Sequence, residues 1–160
     1  MSKKSSLPGL LPFNGTPNAV CAPAIASSET STVTILSVSA DCNDHAELQH
    51  SLAGTNCRTI TASSLQDGLR LLRKGGISVV VCDSRVGDGA WRKILNVNGI
   101  PSASSSPALI VSSCTADEYL WAEVLNLGGF DVIAKPFERD ELRHVVQSAA
   151  ATLLHASRRV

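Results

Sequence analysis

From residue 32 onward, the apolar residues of this chain alternate between two spacings. Short runs of β-branched and apolar residues have the pattern of strands, and between them apolar residues recur at the i, i+4 and i+7 spacing of one helix face. This alternation predicts an α/β fold, a five-stranded parallel sheet with helices on both faces, because parallel neighbours need crossover connections. The predicted strands are residues 32–38, 58–62, 77–82, 108–112 and 131–134.

Five helices are predicted in the segments that follow the strands. The second places Leu65, Leu69 and Leu72 on one face, and the last begins at about Arg139. Capping residues indicate where three of the helices begin, because a side-chain oxygen can accept a bond from the first free backbone N–H groups. The candidates are Asn43-Asp44 for the first helix, Ser64 with Asp67 for the second, and Thr115 with Glu118 for the fourth.

The fourth predicted helix has a wide apolar face. Leu120, Val124 and Leu127 form a stripe at helical spacing, and Trp121 and Leu125 lie to one side of it. Such a face is either plain core or a surface for a partner, since aromatic side chains are common anchors at interfaces. Both interpretations are open from the sequence alone.

Two segments lie outside this pattern. Residues 1–31 are rich in Ser, Pro, Gly, Ala and Thr and show no periodicity, which predicts a disordered leader. Residues 32–155 form the predicted domain, and residues 156–160 a short tail. Within the domain, the apolar residues 149–154 near the end of the last helix would suit a homodimer.

The composition excludes several classes of function. Lys plus Arg and Asp plus Glu are 14 each, and this balance argues against nucleic acid or a membrane surface as the partner. No apolar run approaches the roughly 20 residues that cross a bilayer. The five cysteines are scattered without a C-x-x-C pair, which is typical of reduced thiols in a cytoplasm.

Polar side chains follow the predicted strands at their carboxyl ends, where an open parallel sheet binds its ligands. Asp83 follows the third strand, Ser112 ends the fourth, and Lys135 follows the fifth. A carboxylate can accept a phosphoryl group, and an ammonium and a hydroxyl would stabilise its anionic oxygens. The pattern therefore favours a site for a phosphoryl group at this edge.

The order of these residues resembles the response-regulator receiver family. Residues 128–137, GGFDVIAKPF, are similar to the family's G-A-x-D-Y-L-x-K-P-F, and VVVCDSRVGDG around Asp83 is similar to its acceptor strand and a shortened following loop. The resemblance covers about residues 32–150. It implies the receiver or flavodoxin-like sheet order 2-1-3-4-5, and a cytoplasmic signalling protein that is not an enzyme.

By this resemblance, Asp83 accepts a phosphoryl group from a histidine kinase or a phosphotransfer protein. Ser112 bonds a phosphate oxygen, Lys135 pairs with the carboxylate and then with the phosphate, and Pro136 follows a cis peptide bond. The implied cofactor is Mg²⁺. Its implied ligands are Asp41, Asp83 and the backbone carbonyl of Arg85.

The sequence departs from the family at two places. Ser39 and Ala40 stand where the family has an acidic pair, and Asp41 comes one residue late, where a helix-capping role is the alternative to a metal ligand. Val132 stands where the family has an aromatic residue that reports phosphorylation. Both departures weaken the expectation of a metal-dependent switch.

Three functions are compatible with these residues. The first is a phosphorylated receiver that acts by binding a downstream protein, and the second is a pseudo-receiver that binds partners without being phosphorylated. The third, a flavin carrier of the flavodoxin type, is disfavoured because SADCND after the first strand contains no glycine and few hydroxyls to hold a phosphate.

Overall fold

The computed structural model describes residues 31–87, 89–96 and 106–157. Nearly all of the predicted leader, Asp88, most of the loop between residues 96 and 106 and the last three residues of the tail lie outside the described residues. Every described strand and helix belongs to the compact unit that begins at Thr32. The strands are β1 (Val33–Val38), β2 (Cys57–Ala62), β3 (Val79–Asp83), β4 (Ala108–Ser113) and β5 (Asp131–Ala134), and the helices are α1 (Cys42–Ser51), α2 (Leu65–Lys74), α3 (Ala90–Leu95), α4 (Glu118–Asn126) and α5 (Arg139–Ser157).

The five strands form one parallel sheet in the order β2-β1-β3-β4-β5. This is the predicted α/β fold with the predicted strand order. All five residues of the central strand β3 are buried, because helices cover the sheet on both faces. In register, Asp83 of β3 lies opposite Ser112 of β4. None of the helices in the described parts of the chain is long and apolar enough to cross a bilayer.

Two apolar cores lie on opposite faces of the sheet. One joins the sheet to α2, α3 and α4 through buried residues such as Leu72, Trp91 and Val124. The other joins it to α1 and α5 through residues such as Leu48 and Leu142. The alternation of side chains along each strand divides the sheet between the two cores.

Two of the three predicted helix starts are wrong. The N-cap of α1 is Asp41, whose carboxylate accepts from the backbone N–H of Asn43, and not Asn43-Asp44. The N-cap of α4 is Asp117, which accepts from the N–H of Leu120. In both cases the cap is the acid directly before the helix, because its extended backbone lets the side chain reach an N–H two or three residues on. The cap of α2 is confirmed, since Ser64 accepts from the N–H of Asp67.

The apolar face of α4 is narrower than predicted. Val124 is fully buried, but Leu127 follows the last helical turn and is 52 % exposed. Near the end of α5, Ala149 and Ala150 are buried in the second core, whereas Leu154 is exposed. Part of the apolar stretch offered for a homodimer therefore serves the fold, and the homodimer stays a prediction.

Candidate functional site

The carboxyl ends of β1, β3, β4 and β5 meet at one edge of the sheet and bring the predicted site residues together. Asp83 and Ser112 lie side by side in register, and Lys135 follows β5 directly. Asp83 opens onto a cleft of about 630 Å³. The other residues that line this cleft are Ala40, Asp41, Cys42, Asn43 and Arg85.

The carboxylate of Asp83 is buried, with 6 % of the residue exposed. Its Oδ1 accepts a hydrogen bond from the backbone N–H of Arg85 at 3.2 Å and lies 3.2 Å from Nζ of Lys135. Both contacts are made by Oδ1, and no described residue forms a hydrogen bond or an ion pair with Oδ2. Oδ2 is therefore the oxygen left to react with a group in the cleft.

The hydroxyl of Ser112 has no hydrogen-bond partner among the described residues. The residue is 2 % exposed, and its hydroxyl makes no hydrogen bond with another described residue, although its carbonyl accepts from the N–H of Ser84 at 2.8 Å. A buried hydroxyl without a partner is destabilising, and such groups in native proteins often serve a ligand. In register, Ser112 lies beside Asp83 at the same sheet edge.

Lys135 is held by two carboxylates, of which the sequence indicated only one. Its Nζ donates to Oδ2 of Asp44 at 2.7 Å and lies 3.2 Å from Oδ1 of Asp83. Only 7 % of the lysine side chain is exposed. The peptide bond between Lys135 and Pro136 is cis, as the resemblance implied.

Asp44 is the site residue that the sequence did not reveal. It lies in the first turn of α1, is 8 % exposed, and accepts a bond of 2.5 Å from the hydroxyl of Ser39 besides the bond from Lys135. Its prediction as a capping residue concealed this role. The one available signal was a second acid, three residues after Asp41, at the start of a helix that packs on the sheet.

The charges of this pair shift both pKa values toward the ionised forms. Burial by itself would raise the pKa of Asp44, but the hydrogen bonds from Lys135 and Ser39 and the charge of the lysine lower it. Burial would likewise lower the pKa of Lys135, and its bonds to Asp44 and Asp83 outweigh that effect and raise it. Asp44 and Lys135 are therefore an ion pair at neutral pH.

Two further side chains fix the position of α1. His45 is bonded through one ring nitrogen to the hydroxyl of Ser37 at 2.8 Å and through the other to the carbonyl of Ser39 at 3.1 Å. Arg143 of α5 donates to the carbonyls of Ser51 and Ala53 at the far end of the helix, at 2.7 Å each. With both ends held, the helix keeps Asp44 directed at the site.

The predicted Mg²⁺ ligands do not form a complete metal site. Asp41 lines the cleft with Asp83, but its carboxylate caps α1, and Arg85 is an exposed residue whose N–H binds Asp83. In the described ranges, no three His, Cys, Asp or Glu side chains gather closely enough to hold a metal ion. Mg²⁺ is usually held by one or two carboxylates, but of the two predicted acids Asp41 is engaged by the helix and Asp83 by Lys135, so this donor set fits the ion poorly.

Trp121 lies on the surface, not in the core. It is 50 % exposed, and its Nε1 donates to Asp131 at 3.3 Å. Together with Val132 and Glu141 it lines a groove of about 320 Å³ between α4, β5 and α5. Of the two interpretations offered for this apolar face, the core is wrong for Trp121, and a partner surface stays a prediction.

Comparison with known proteins defines the class of fold. A response regulator from Thermotoga maritima has a TM-score of 0.67 and 23 % identity, over 75 % of this chain and 98 % of that chain. The chemotaxis response regulator CheY4 of Vibrio cholerae has a TM-score of 0.64 and 16 % identity, over 74 % of this chain and 99 % of that chain.

A third similar structure includes a partner. It is a co-crystal structure of a histidine phosphotransfer signaling protein of Saccharomyces cerevisiae, Ypd1, with the receiver domain of its downstream response regulator. That receiver has a TM-score of 0.64 and 15 % identity, over 75 % of this chain and 90 % of that chain. No protein-family model and no curated protein matches this chain. The fold is that of a response-regulator receiver domain.

Proposed function

We propose that this chain is a cytoplasmic phosphorelay receiver that accepts a phosphoryl group on Asp83 and acts through contacts with other proteins, not as an enzyme. The observation that carries the proposal is the meeting of three groups at one sheet edge. Asp83 opens onto a cleft, and Nζ of Lys135 lies 3.2 Å from its Oδ1. Ser112 offers a buried hydroxyl that bonds no other described residue.

The transfer needs only groups that these residues and the donor supply. Oδ2 of Asp83 attacks the phosphorus of a phosphohistidine whose other ring nitrogen is protonated, and the new O–P bond forms. The P–N bond breaks, and the imidazole leaves neutral with the electron pair of that bond. Lys135 and Ser112 stabilise the oxygens of the phosphoryl group by charge and by hydrogen bonding. The product is an aspartyl phosphate and an unphosphorylated donor histidine.

The proposed donor is a histidine kinase or a histidine phosphotransfer protein. The support for a partner of this kind is the receiver of Saccharomyces cerevisiae that was crystallised with a phosphotransfer protein. A downstream protein would bind the groove that Trp121 lines, because a half-exposed tryptophan is a common interface anchor.

A pseudo-receiver is the second candidate, and a specific observation favours it. Asp44 already binds Lys135, Ser39 and Ala40 leave the strand end without acids, and Val132 replaces the aromatic reporter. A chain with these features would keep the fold as a binding module and would not be phosphorylated. The two candidates differ in one chemical event on Asp83.

Intact mass spectrometry separates the two. The protein is incubated with phosphoramidate, whose P–N bond resembles that of phosphohistidine, with and without Mg²⁺, beside an Asp83→Asn variant. We expect one phosphoryl adduct on the parent protein and none on the variant, formed slowly because no acidic pair supports a metal.

The absence of an adduct with phosphoramidate and with a phosphorylated histidine phosphotransfer protein would reject the first candidate. If Ala40→Asp then gains an adduct that the parent lacks, the pseudo-receiver is supported, because one restored acid suffices to recover the chemistry. An adduct that persists in Asp83→Asn would show that another residue reacts.

A further inference from the structure

We propose that Asp44 is a positioning residue that replaces the missing acidic pair. Its carboxylate holds the ammonium of Lys135 against Asp83. Its position on α1 allows it to bind the lysine but not a divalent cation. The proposal concerns the resting arrangement of the site that was assigned above to phosphoryl transfer. It can be tested without any phosphodonor, so its outcome does not depend on whether Asp83 is phosphorylated.

The geometry shows that Asp44 and Asp83 share one ammonium. Nζ of Lys135 lies 2.7 Å from Oδ2 of Asp44 and 3.2 Å from Oδ1 of Asp83, so the nearer carboxylate is the one on α1. All three side chains are nearly buried, with exposures of 7 to 11 %. A buried ammonium is stable only when it is paired, and here the closer pair is with Asp44.

Residue 39 makes room for this arrangement. A serine at the end of β1 is short, and its hydroxyl donates to Oδ2 of Asp44, the same oxygen that binds Lys135. The hydroxyl also accepts from the N–H of Asp41 at 3.1 Å. Ser39 therefore orients Asp44. The carboxylate that binds Lys135 lies in the first turn of α1, and the strand end has a serine in place of an acid.

This placement bears on metal binding. Oδ2 of Asp44 already accepts two hydrogen bonds, one of them charge-assisted. Asp44 is absent from the residues that line the cleft beside Asp83. A cation in that cleft would meet Asp83 and Asp41, but Asp41 already accepts the N–H of Asn43, and Asp44 would supply no oxygen there. Among the described residues, Lys135 is therefore the cation that balances the charge of Asp83 in the resting site.

Competitive lysine labelling tests the positioning role. The parent protein, Asp44→Asn and Glu47→Gln are treated with a trace of acetic anhydride, and acetylation of Lys135 is measured against the exposed Lys74 and Lys93 in the same digest. Glu47 is a matched control, since it is an exposed acid on the same helix. We expect Lys135 to be labelled about tenfold faster in Asp44→Asn, because charge-assisted bonds are roughly twice as strong as neutral ones, and unchanged in Glu47→Gln.

A variant that exchanges the two partners guards against loss of folding. Ser39→Asp combined with Asp44→Ser returns the carboxylate to the strand end and keeps the same groups. If Asp44→Asn does not fold, Ser39→Ala, which loses the bond to Asp44, is labelled beside the exchange variant. Protection of Lys135 in the exchange variant with faster labelling in Ser39→Ala supports the proposal, and equal labelling in the two overturns it. Equal labelling of Lys135 in the parent and in folded Asp44→Asn also overturns it.

A magnesium titration tests the claim that this arrangement does not suit a divalent cation. The backbone amide signals of Ser84 and Arg85, beside Asp83, are followed by NMR as MgCl₂ is added. The parent should show no saturable shift, and the exchange variant should show one, because its new carboxylate lies at the strand end. Saturable binding in the parent that disappears in Asp44→Asn would show that Asp44 is a metal ligand, and the proposal would be wrong.

Discussion

The candidate site has two sides that differ in how far they follow the receiver pattern. On one side, the ends of β3, β4 and β5 supply Asp83, Ser112 and Lys135 in the predicted places. On the other side, Ser39 and Ala40 follow β1, and the acid that meets the lysine comes from α1. The first side has the groups proposed to react, whereas the second lacks the acidic pair of the receiver pattern.

The difference shows that pairing a buried lysine requires less of the structure than coordinating Mg²⁺. A buried ammonium needs a carboxylate within hydrogen-bonding distance, but the carboxylate can come from any element that packs there. Mg²⁺ makes a stronger demand, since several oxygens must surround it in one geometry. One acid on α1 satisfies the lysine, and it does not rebuild a set of metal ligands.

The largest effect is expected from Lys135→Met, which removes the group that joins the two sides. Asp44 and Asp83 would remain buried without their ammonium, and we expect the free energy of unfolding to fall by about 3 kcal/mol. Urea unfolding at neutral pH measures this. Lys74→Met, an exposed lysine in the last turn of α2, is the control and should change stability by less than about 0.5 kcal/mol. Equal midpoints for the two variants would show that Lys135 does not join the two sides.

Asp44→Asn should cost about 2 kcal/mol at neutral pH, because the charge-assisted bond to Lys135 is lost and Asp83 alone pairs with the lysine. The deficit should depend on pH. The pKa of Asp44 is lowered in the folded protein, so its contribution is complete above the unfolded value of about 3.9 and is lost as the pH falls through the folded value.

Urea unfolding of the parent and of Asp44→Asn from neutral pH to about pH 2 measures this dependence, and the two curves should converge on the acid side. The pKa of Lys135 is raised, so its contribution to stability depends on pH in the opposite direction. That contribution is complete below the unfolded value of about 10.4 and is lost only as the pH rises through the folded value. A deficit that persists undiminished in acid would mean that Asp44 acts by its shape and not by its charge.

Asp41→Ala separates the two acids of α1. Since Asp41 caps the helix through the N–H of Asn43, its loss should cost about 1 kcal/mol of unfolding free energy. Asn43→Ala keeps that N–H and is the matched control, with no comparable loss expected. If Asn43→Ala is instead the damaging change, the cap predicted from the sequence is right, and Asp41 is not the N-cap of α1.

The smallest effect, and the only one of opposite sign, is expected from Ser112→Ala. Removing a buried hydroxyl without a partner should leave stability unchanged or raise it by up to about 1 kcal/mol. Ser39→Ala at the same sheet edge loses the bond to Asp44 and should lower stability by about 1 kcal/mol. Thermal unfolding of both variants compares them. A clear loss in Ser112→Ala would mean that its hydroxyl serves the fold and not a ligand.

Much of the fold was predictable because local patterns and sheet geometry agree. The strand runs, the leucine face of α2 and the capping residue Ser64 are local features, and each is present, although β3 is shifted to Val79–Asp83 from the predicted 77–82. Asp83, Ser112 and Lys135 were predictable because the carboxyl ends of parallel strands converge at one edge. The exposure of Trp121 was not, since helical spacing alone does not fix how far a helix face extends over the core.

The sequence by itself determined the order of strands and helices and the three polar residues at their ends, since these follow from periodicity and from the direction of parallel strands. Only the tertiary structure decided that Asp44 pairs with Lys135, 91 residues away in the chain. That contact depends on the position of α1, which His45 and Arg143 hold against β1 and α5. No local pattern encodes it, because an acid in the first turn of a helix has the same sequence signature whether it stabilises the helix dipole or reaches into a site.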